Sequence, residues 1–116
     1  MIKIAVAATG ETLSSKIPDL FRDATHLLLT DGEESTLLQV FSAKEDSEGM
    51  DKSLSFAHKT VEWDCEALLC GEIEAEPFSI LAEKNSVTRY MAAGLSAEEA
   101  IQKMNQYKLY FLDEHI

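Results

Sequence analysis

The side chains best suited to binding a soft metal are those of two cysteines and three histidines. Cys65 and Cys70 are five residues apart, which is the spacing of neither a Cys-x-x-Cys redox pair nor a zinc site. His58 precedes them, and an imidazole with either thiol could bind a soft metal ion. His26 opens a predicted strand and His115 is one residue from the end, so both are interpreted as surface or half-buried side chains. His58, Cys65 and Cys70 are therefore the candidate metal ligands, although no spacing motif supports them.

The two cysteines are predicted to stay reduced. A strand over residues 66–70 would place Cys65 and Cys70 at an odd offset, and an odd offset sends side chains to opposite faces of a sheet. A disulfide between them is therefore not expected. Reduced, buried thiols are typical of a cytosolic protein.

No arrangement of residues for nucleophilic or acid–base catalysis is found in the sequence. It contains neither a Gly-x-Ser-x-Gly elbow nor a His-Glu-x-x-His helix, and Thr9-Gly10 supplies one glycine before a polar loop. Four acids within residues 45–51 lack the alternating pattern of a calcium loop and are interpreted as solvated loop. Metal-dependent nucleases carry a carboxylate on the first strand, whereas residues 2–8 contain no acid. The sequence therefore predicts a protein that is not an enzyme.

Composition and charge limit the partners. The 116 residues are 46% apolar, which is enough for one folded domain spanning residues 1–116. Acidic residues outnumber basic ones by 21 to 10, and the formal net charge of −11 disfavours binding to nucleic acids and anionic membranes. No run approaches the roughly 18 apolar residues of a membrane span, and the N-terminus lacks the pattern of a signal peptide. We expect a cytoplasmic protein.

An apolar, β-branched run over residues 2–8 predicts a strand that is buried on both faces and lies in the middle of a sheet. Because loops at strand ends carry function, the polar loop of residues 9–19 is the predicted place of a site. Further strands are predicted at residues 25–30, 35–41, 67–70 and 87–91, and a short turn joins the second and third as an antiparallel hairpin.

Helical spacing of apolar residues predicts three helices. Ser53 is the predicted N-cap of the first helix, Pro77 takes the first position of the second, and Ser96 with Glu99 forms a capping box on the third. Residues 107–112 fit either an extension of the third helix or an edge strand, and residues 44–52 are predicted to be a loop. Right-handed crossovers give a five-stranded mixed α/β sheet in the order 3-2-1-4-5, an order that ribonuclease H-like folds share.

Four stretches, in order along the chain, resemble one known family. The first is the opening strand, and the second, Phe21-Arg22-Asp23-Ala24 followed by Leu27-Leu28, is similar to a Phe-Gly-x-Ala-x-x-Phe motif. Residues 66–73 are similar to a strand that ends in Gly-x-Ile, and residues 87–101 to a closing strand, glycine turn and Glu-Glu-Ala-Ile helix. Together they resemble the NifX/NifB-type dinitrogenase iron–molybdenum cofactor biosynthesis proteins over nearly the whole chain.

This resemblance implies a ribonuclease H-like α/β motif that binds rather than catalyses. Members of the family carry or insert metal–sulfur clusters, so it implies an iron- or molybdenum–sulfur cluster as cofactor and a cluster donor or acceptor protein as partner. Arg22 could pair with such an anionic cluster, or form a surface ion pair with Asp19 or Asp23. By position, the resemblance places the following residues at the cluster: Thr9, Gly10, Leu20, Phe21, Arg22, Ala93 and Gly94.

Two places depart from the family pattern. Nitrogenase-associated members have a cofactor-binding histidine directly before the Phe-Gly pair, whereas here Leu20 takes that position and Arg22 replaces the glycine. The glycine-rich loop before the first helix is replaced by residues 49–54. The leading hypothesis is a non-enzymatic carrier or accessory protein for a metal–sulfur cluster. The alternative is a small protein-interaction module of the same fold that has lost cluster binding and whose acidic surface engages a basic partner.

Overall fold

Six strands in the described residues form one mixed sheet. The computed structural model describes residues 1–42, 51–83 and 87–116, so most of the loop predicted at residues 44–52 lies outside them. The strands are β1 (Lys3–Ala8), β2 (His26–Asp31), β3 (Thr36–Ser42), β4 (Ala67–Cys70), β5 (Thr88–Met91) and β6 (Tyr110–Phe111), and the helices are α1 (Lys52–Glu62), α2 (Ala75–Ala82) and α3 (Ala97–Asn105), with a 3-10 turn at Phe21–Asp23. Across the sheet the order is β3-β2-β1-β4-β5-β6.

The central strand is β1, which pairs antiparallel with β2 and parallel with β4. Each of its residues from 4 to 8 has at most 1% of its surface exposed. Burial is so complete because alternate side chains enter apolar layers on both faces of the sheet. Ala5 and Ala7 enter one layer, and Ile4 and Val6 enter the other. The predicted strand, buried on both faces in the middle of the sheet, is confirmed.

Helices cover the two faces unequally. The first layer is the one under α1 and α2, which contribute Phe56, Ala57 and Leu81 to it. The second layer lies under α3, which contributes Ala100 and Ile101. Since β1, β4 and β5 run parallel, their carboxyl ends meet at one side of the sheet, which we call the carboxyl edge.

The predicted mixed α/β class and the order of the first five strands are confirmed, and the count of five strands is corrected to six. The additional strand, β6, comes from the segment that fitted either a helix or an edge strand. Its flanking residue Leu112 donates its amide to the Arg89 carbonyl at 2.7 Å and packs against the first layer. The helix cannot continue into this segment because Tyr107, two residues after α3, has a φ of +59°.

Two of the three helix starts differ from the predictions. Asp51, not Ser53, caps α1, because the Asp51 carboxylate accepts the Ser53 amide at 2.9 Å. Pro77 is the third residue of α2 rather than the first; first-turn amides have no acceptor in their own helix, so a proline is tolerated there. The capping box of α3 is confirmed: Ser96 Oγ accepts the Glu99 amide at 3.1 Å and Glu99 Oε1 accepts the Ser96 amide at 3.0 Å.

Candidate functional site

Three loops meet at the carboxyl edge. They are residues 9–19 after β1, residues 71–74 after β4 and residues 92–96 after β5. In open α/β sheets, ligands bind outside the carboxyl ends of the strands. The loop that the sequence indicates as the place of a site therefore lies where the connections of all three parallel strands gather.

Backbone hydrogen bonds fix the loop of residues 9–19 against the start of α3. The Ile17 amide donates to the Leu95 carbonyl at 2.9 Å, and the Gly94 amide donates back to the Ile17 carbonyl at 2.9 Å. Two amides in the first turn of α3, which have no acceptor in their own helix, donate to the carbonyls of Ser15 and Leu13 at 2.9 and 2.8 Å. The loop and the turn after β5 therefore form one hydrogen-bonded unit.

Gly71 allows the chain to cross the end of β4. The carbonyl oxygens of Pro18 and Asp19 lie where a Cβ at position 71 would be, so only a glycine admits this approach. Beside it, the Glu72 amide donates to the Asp19 carbonyl at 2.9 Å, and the Phe21 amide donates to the Glu72 carbonyl at 2.8 Å. This crossing takes the chain from the α3 face of the sheet to the face of α1 and α2.

Six of the seven residues predicted to bind a cluster have surface along the carboxyl edge. Phe21 is the exception: it is 1% exposed, and its ring packs edge-to-face on Phe56 with the ring centroids 6.4 Å apart. Phe21 therefore supports the edge from the core and does not face a ligand. Of the other six, the exposed residues are Thr9, Arg22 and Gly94, and the half-buried ones are Gly10, Leu20 and Ala93.

The guanidinium of Arg22 has a partner that the sequence did not indicate. Its Nη1 lies 3.3 Å from Oε2 of Glu74, the residue that precedes α2, rather than beside Asp19 or Asp23. Both side chains are about half exposed, at 54% and 43%. An ion pair with this exposure is weak, so Arg22 can exchange the carboxylate for another anion.

His26 is a candidate functional residue that the sequence analysis set aside. The register of β2 against β1 places His26 opposite Ala8, directly beside the loop after β1. Its Nδ1 lies 2.9 Å from the Thr25 hydroxyl, and its Nε2 lies 3.5 Å from Oε1 of Glu11. An imidazole therefore lies at the carboxyl edge. The predicted strand order, which places the second strand beside the first, was the signal that could have found it.

The sequence matches the family model described as "Dinitrogenase iron-molybdenum cofactor" over residues 2–107. The chain belongs to this family. The match confirms the resemblance carried by the four stretches, and it includes every strand except β6. Among curated proteins, none matches the sequence.

Solved structures share the fold over nearly the whole chain. The apo form of the orange protein from Desulfovibrio gigas has a TM-score of 0.82 at 17% identity, covering 97% of this chain and 94% of its own. A candidate NifB protein from Thermotoga has a TM-score of 0.79 at 23% identity, covering 100% and 97%. A candidate dinitrogenase from Methanocaldococcus jannaschii has a TM-score of 0.66 at 18% identity, covering 98% and 99%. At these sequence identities, the structural similarity shows that this chain shares their fold.

The fold of this family member does not bring the candidate metal ligands together. Cys65 and Cys70 both pack into the first layer, so the prediction of opposite faces is wrong: β4 begins at Ala67, and the alternation of a strand does not extend back to Cys65. Burial raises the pKa of Cys65 to about 12 and also raises the pKa of Cys70. A metal ion would therefore have to displace the thiol proton in a buried, apolar layer, which disfavours binding by either cysteine. His58 is exposed on α1, in a groove against Ile80 of α2.

In residues 1–42, 51–83 and 87–116, no group of three His, Cys, Asp or Glu side chains is close enough to hold a metal ion. The helices within these same ranges include none that is long and apolar enough to cross a bilayer.

Proposed function

We propose that the protein is a non-enzymatic, cytoplasmic carrier or accessory protein for a metal–sulfur cluster, which it binds at the carboxyl edge. The observation that carries this proposal is the family match over residues 2–107, because the family is described by the iron–molybdenum cofactor. The partners would be the proteins that donate the cluster and accept it.

The chemistry of the carboxyl edge is consistent with such cargo. Metal–sulfur clusters are held by soft or imidazole ligands and tuned by hydrogen bonds to their sulfides. His26 is an imidazole at this edge, with 22% of its side chain exposed. Arg22 offers a guanidinium that can leave Glu74 for an anionic sulfide, and Thr9 and Gly94 offer exposed surface on the loops beside it.

Reconstitution tests the proposal. Purified protein would be incubated anaerobically with iron, molybdate and sulfide, desalted, and analysed for bound metal and for charge-transfer absorption. Retained metal and a coloured protein are expected. A colourless protein that retains no metal would overturn the proposal.

Paired histidine variants test the location. His26→Ala should retain much less metal than the unsubstituted protein, because it removes the imidazole from the carboxyl edge. His58→Ala is the matched control, since His58 is exposed on α1 and belongs to none of the three loops that form the carboxyl edge. The Cys65→Ala/Cys70→Ala variant should retain the cluster because both thiols are buried. Equal retention by His26→Ala and His58→Ala would remove His26 from the site.

The acidic surface favours a second candidate function, a protein-interaction module that engages a basic partner. The net charge of −11 supports it. The Glu74 carboxylate supports it too, because it is already paired with Arg22, the cation that the cluster proposal assigns to the cluster. The test is to recover partners from the native organism with metal-free protein and to repeat the binding with each purified partner. Binding that weakens with salt and is unchanged by a chelator would favour the module over the carrier.

A further inference from the structure

A cavity lies at the opposite end of the same strands from the carboxyl edge. Its floor is the row formed by Ile4 of β1, Ala67 of β4 and Thr88 of β5, which are paired in register at the amino ends of these strands. The cavity measures about 370 Å³, which is within the range of small-molecule sites.

Aromatic rings and one acidic residue characterise the lining. Tyr90 and Tyr107 both line the cavity, and the ring of Tyr90 is stacked on Phe111 with the centroids 5.1 Å apart, which fixes its position. Glu66 is exposed and is the charged residue among the described residues of the lining. Its backbone is fixed on both sides, because its amide donates to the Lys3 carbonyl at 2.9 Å and its carbonyl accepts the Thr88 amide at 3.1 Å.

Tyr107 occupies a backbone position that favours glycine. Its φ is +59°, its amide donates to the Met104 carbonyl at 3.0 Å, and the next amide donates to the Lys103 carbonyl at 2.9 Å. This is the Schellman end of a helix, where glycine is usual and a side chain is strained. Tyr107 is 94% exposed, so packing against the described residues does not offset the strain. The fold alone therefore gives no reason for an aromatic residue here, whereas contact with a ligand does.

We propose that this cavity binds an organic cation, an ammonium or guanidinium group, between the rings of Tyr90 and Tyr107 and the carboxylate of Glu66. Aromatic faces attract cations through the ring quadrupole, and a carboxylate adds a charged partner. The net charge of −11 attracts cations to the whole surface. The inference is independent of cluster binding, because the cavity and the carboxyl edge lie at opposite ends of the parallel strands.

A matched pair of probes separates charge from apolar contact. Choline and its neutral analogue 3,3-dimethylbutan-1-ol would be titrated into the protein while the amide and ring resonances of Tyr90 and Tyr107 are followed by NMR. Saturable shifts with choline and none with the neutral analogue are expected. Equal shifts with both would make the site merely apolar, and no shift with either would show that it does not bind; both results overturn the proposal.

The source of the cation is distinguished with two further probes. N-acetyl-lysine amide and N-acetyl-arginine amide present the cation as a protein side chain would. Tighter binding of either one than of choline would indicate a basic segment of a partner protein, and the reverse would indicate a free small amine. Both results support the cation site and differ only in its occupant.

Tyr107→Gly is the most discriminating variant. It removes a ring from the cavity and places glycine where the backbone favours it, so cation binding should weaken by about fivefold to tenfold while Tm stays the same or rises. Glu66→Gln should also weaken choline binding while leaving the fold unchanged. Tyr110→Ala is the control, because Tyr110 is 84% exposed and does not line the cavity. Choline binding that is as tight in Tyr107→Gly as in Tyr110→Ala would overturn the proposal.

Discussion

Gly71 is the single residue on which the crossing at the carboxyl edge depends most. A Cβ there would overlap the backbone carbonyls of Pro18 and Asp19, and a backbone cannot rotate away as a side chain can. We expect Gly71→Ala to lower the free energy of unfolding by about 2–4 kcal/mol, because the chain must separate and lose the hydrogen bonds of Glu72. Urea denaturation followed by far-UV circular dichroism measures this change.

Gly10→Ala is the matched control for that prediction. A Cβ at position 10 would meet the Ser15 hydroxyl, which can rotate at the expense of its 3.1 Å hydrogen bond from the Thr12 amide. The expected loss is about 1 kcal/mol. Equal losses for the two substitutions would show that overlap with the backbone is not what makes Gly71 necessary.

The two buried thiols should make the free energy of unfolding fall at alkaline pH. Burial raises the pKa of Cys65 to about 12 and raises that of Cys70, whereas thiols of the unfolded chain ionise near pH 8.5–9. Above about pH 9 the unfolded state therefore loses protons that the folded state keeps, and the free energy of unfolding falls as the pH rises. The slope reaches about 1.4 kcal/mol per pH unit for each thiol.

Urea denaturation between pH 7 and about pH 10.5 tests this linkage. The Cys65→Ala/Cys70→Ala variant is the control, since it keeps every lysine and tyrosine that also titrates in this range. The unsubstituted protein should lose stability more steeply than the variant. Parallel curves for the two proteins would contradict the pKa directions given for the thiols.

At the level of elements, the first turn of α3 satisfies its amides in two ways. The loop of residues 9–19 accepts two of them, and the capping box accepts another at Ser96 Oγ. The amide and hydroxyl of Ser96 hold the pKa of Glu99 below its usual value. The hydrogen bond that the Glu99 carboxylate accepts from the Ser96 amide is therefore lost as the pH falls through that lowered pKa. The helix start and the loop after β1 are therefore stabilised together.

We expect Ser96→Ala to lower the free energy of unfolding by about 1 kcal/mol at pH 7, because the amide of Glu99 loses its acceptor. Ser79→Ala on the exposed side of α2 is the control and should change stability by less than about 0.5 kcal/mol. Hydrogen exchange at the Glu99 amide should also be faster in Ser96→Ala. If Ser96→Ala and Ser79→Ala were equally stable, the capping box would contribute nothing to α3.

Across the whole molecule, the features that could be predicted from the sequence are those set by neighbouring residues. The burial of β1 follows from its own apolar run, and the capping box follows from two residues three apart. The count of strands could not be predicted because β6 has two residues and depends on pairing with β5, which a local pattern does not encode.

Features of the candidate site were harder to predict because they join distant parts of the chain. Arg22 pairs with Glu74, 52 residues away, so the nearby Asp19 and Asp23 were the partners that the sequence suggested. The shared layer of the two cysteines was missed because alternation was extended to Cys65, before the strand begins. To place His26 at the carboxyl edge, the register of β2 against β1 was needed in addition to the positions of the two strands along the chain.

The two core layers should unfold as one unit, because β1 and β4 contribute side chains to both. Ile73 is fully buried in the first layer, and Ile4 is 1% exposed in the second. We expect Ile73→Val and Ile4→Val each to lower stability by about 1 kcal/mol and Tm by about 4 °C, with the sum in the double variant. Trp63 fluorescence, which reports the first layer, should give the same transition as far-UV circular dichroism in all three variants. Transitions that separate in either single variant would show that the layers unfold independently and that the sheet does not couple the carboxyl edge to the rest of the molecule.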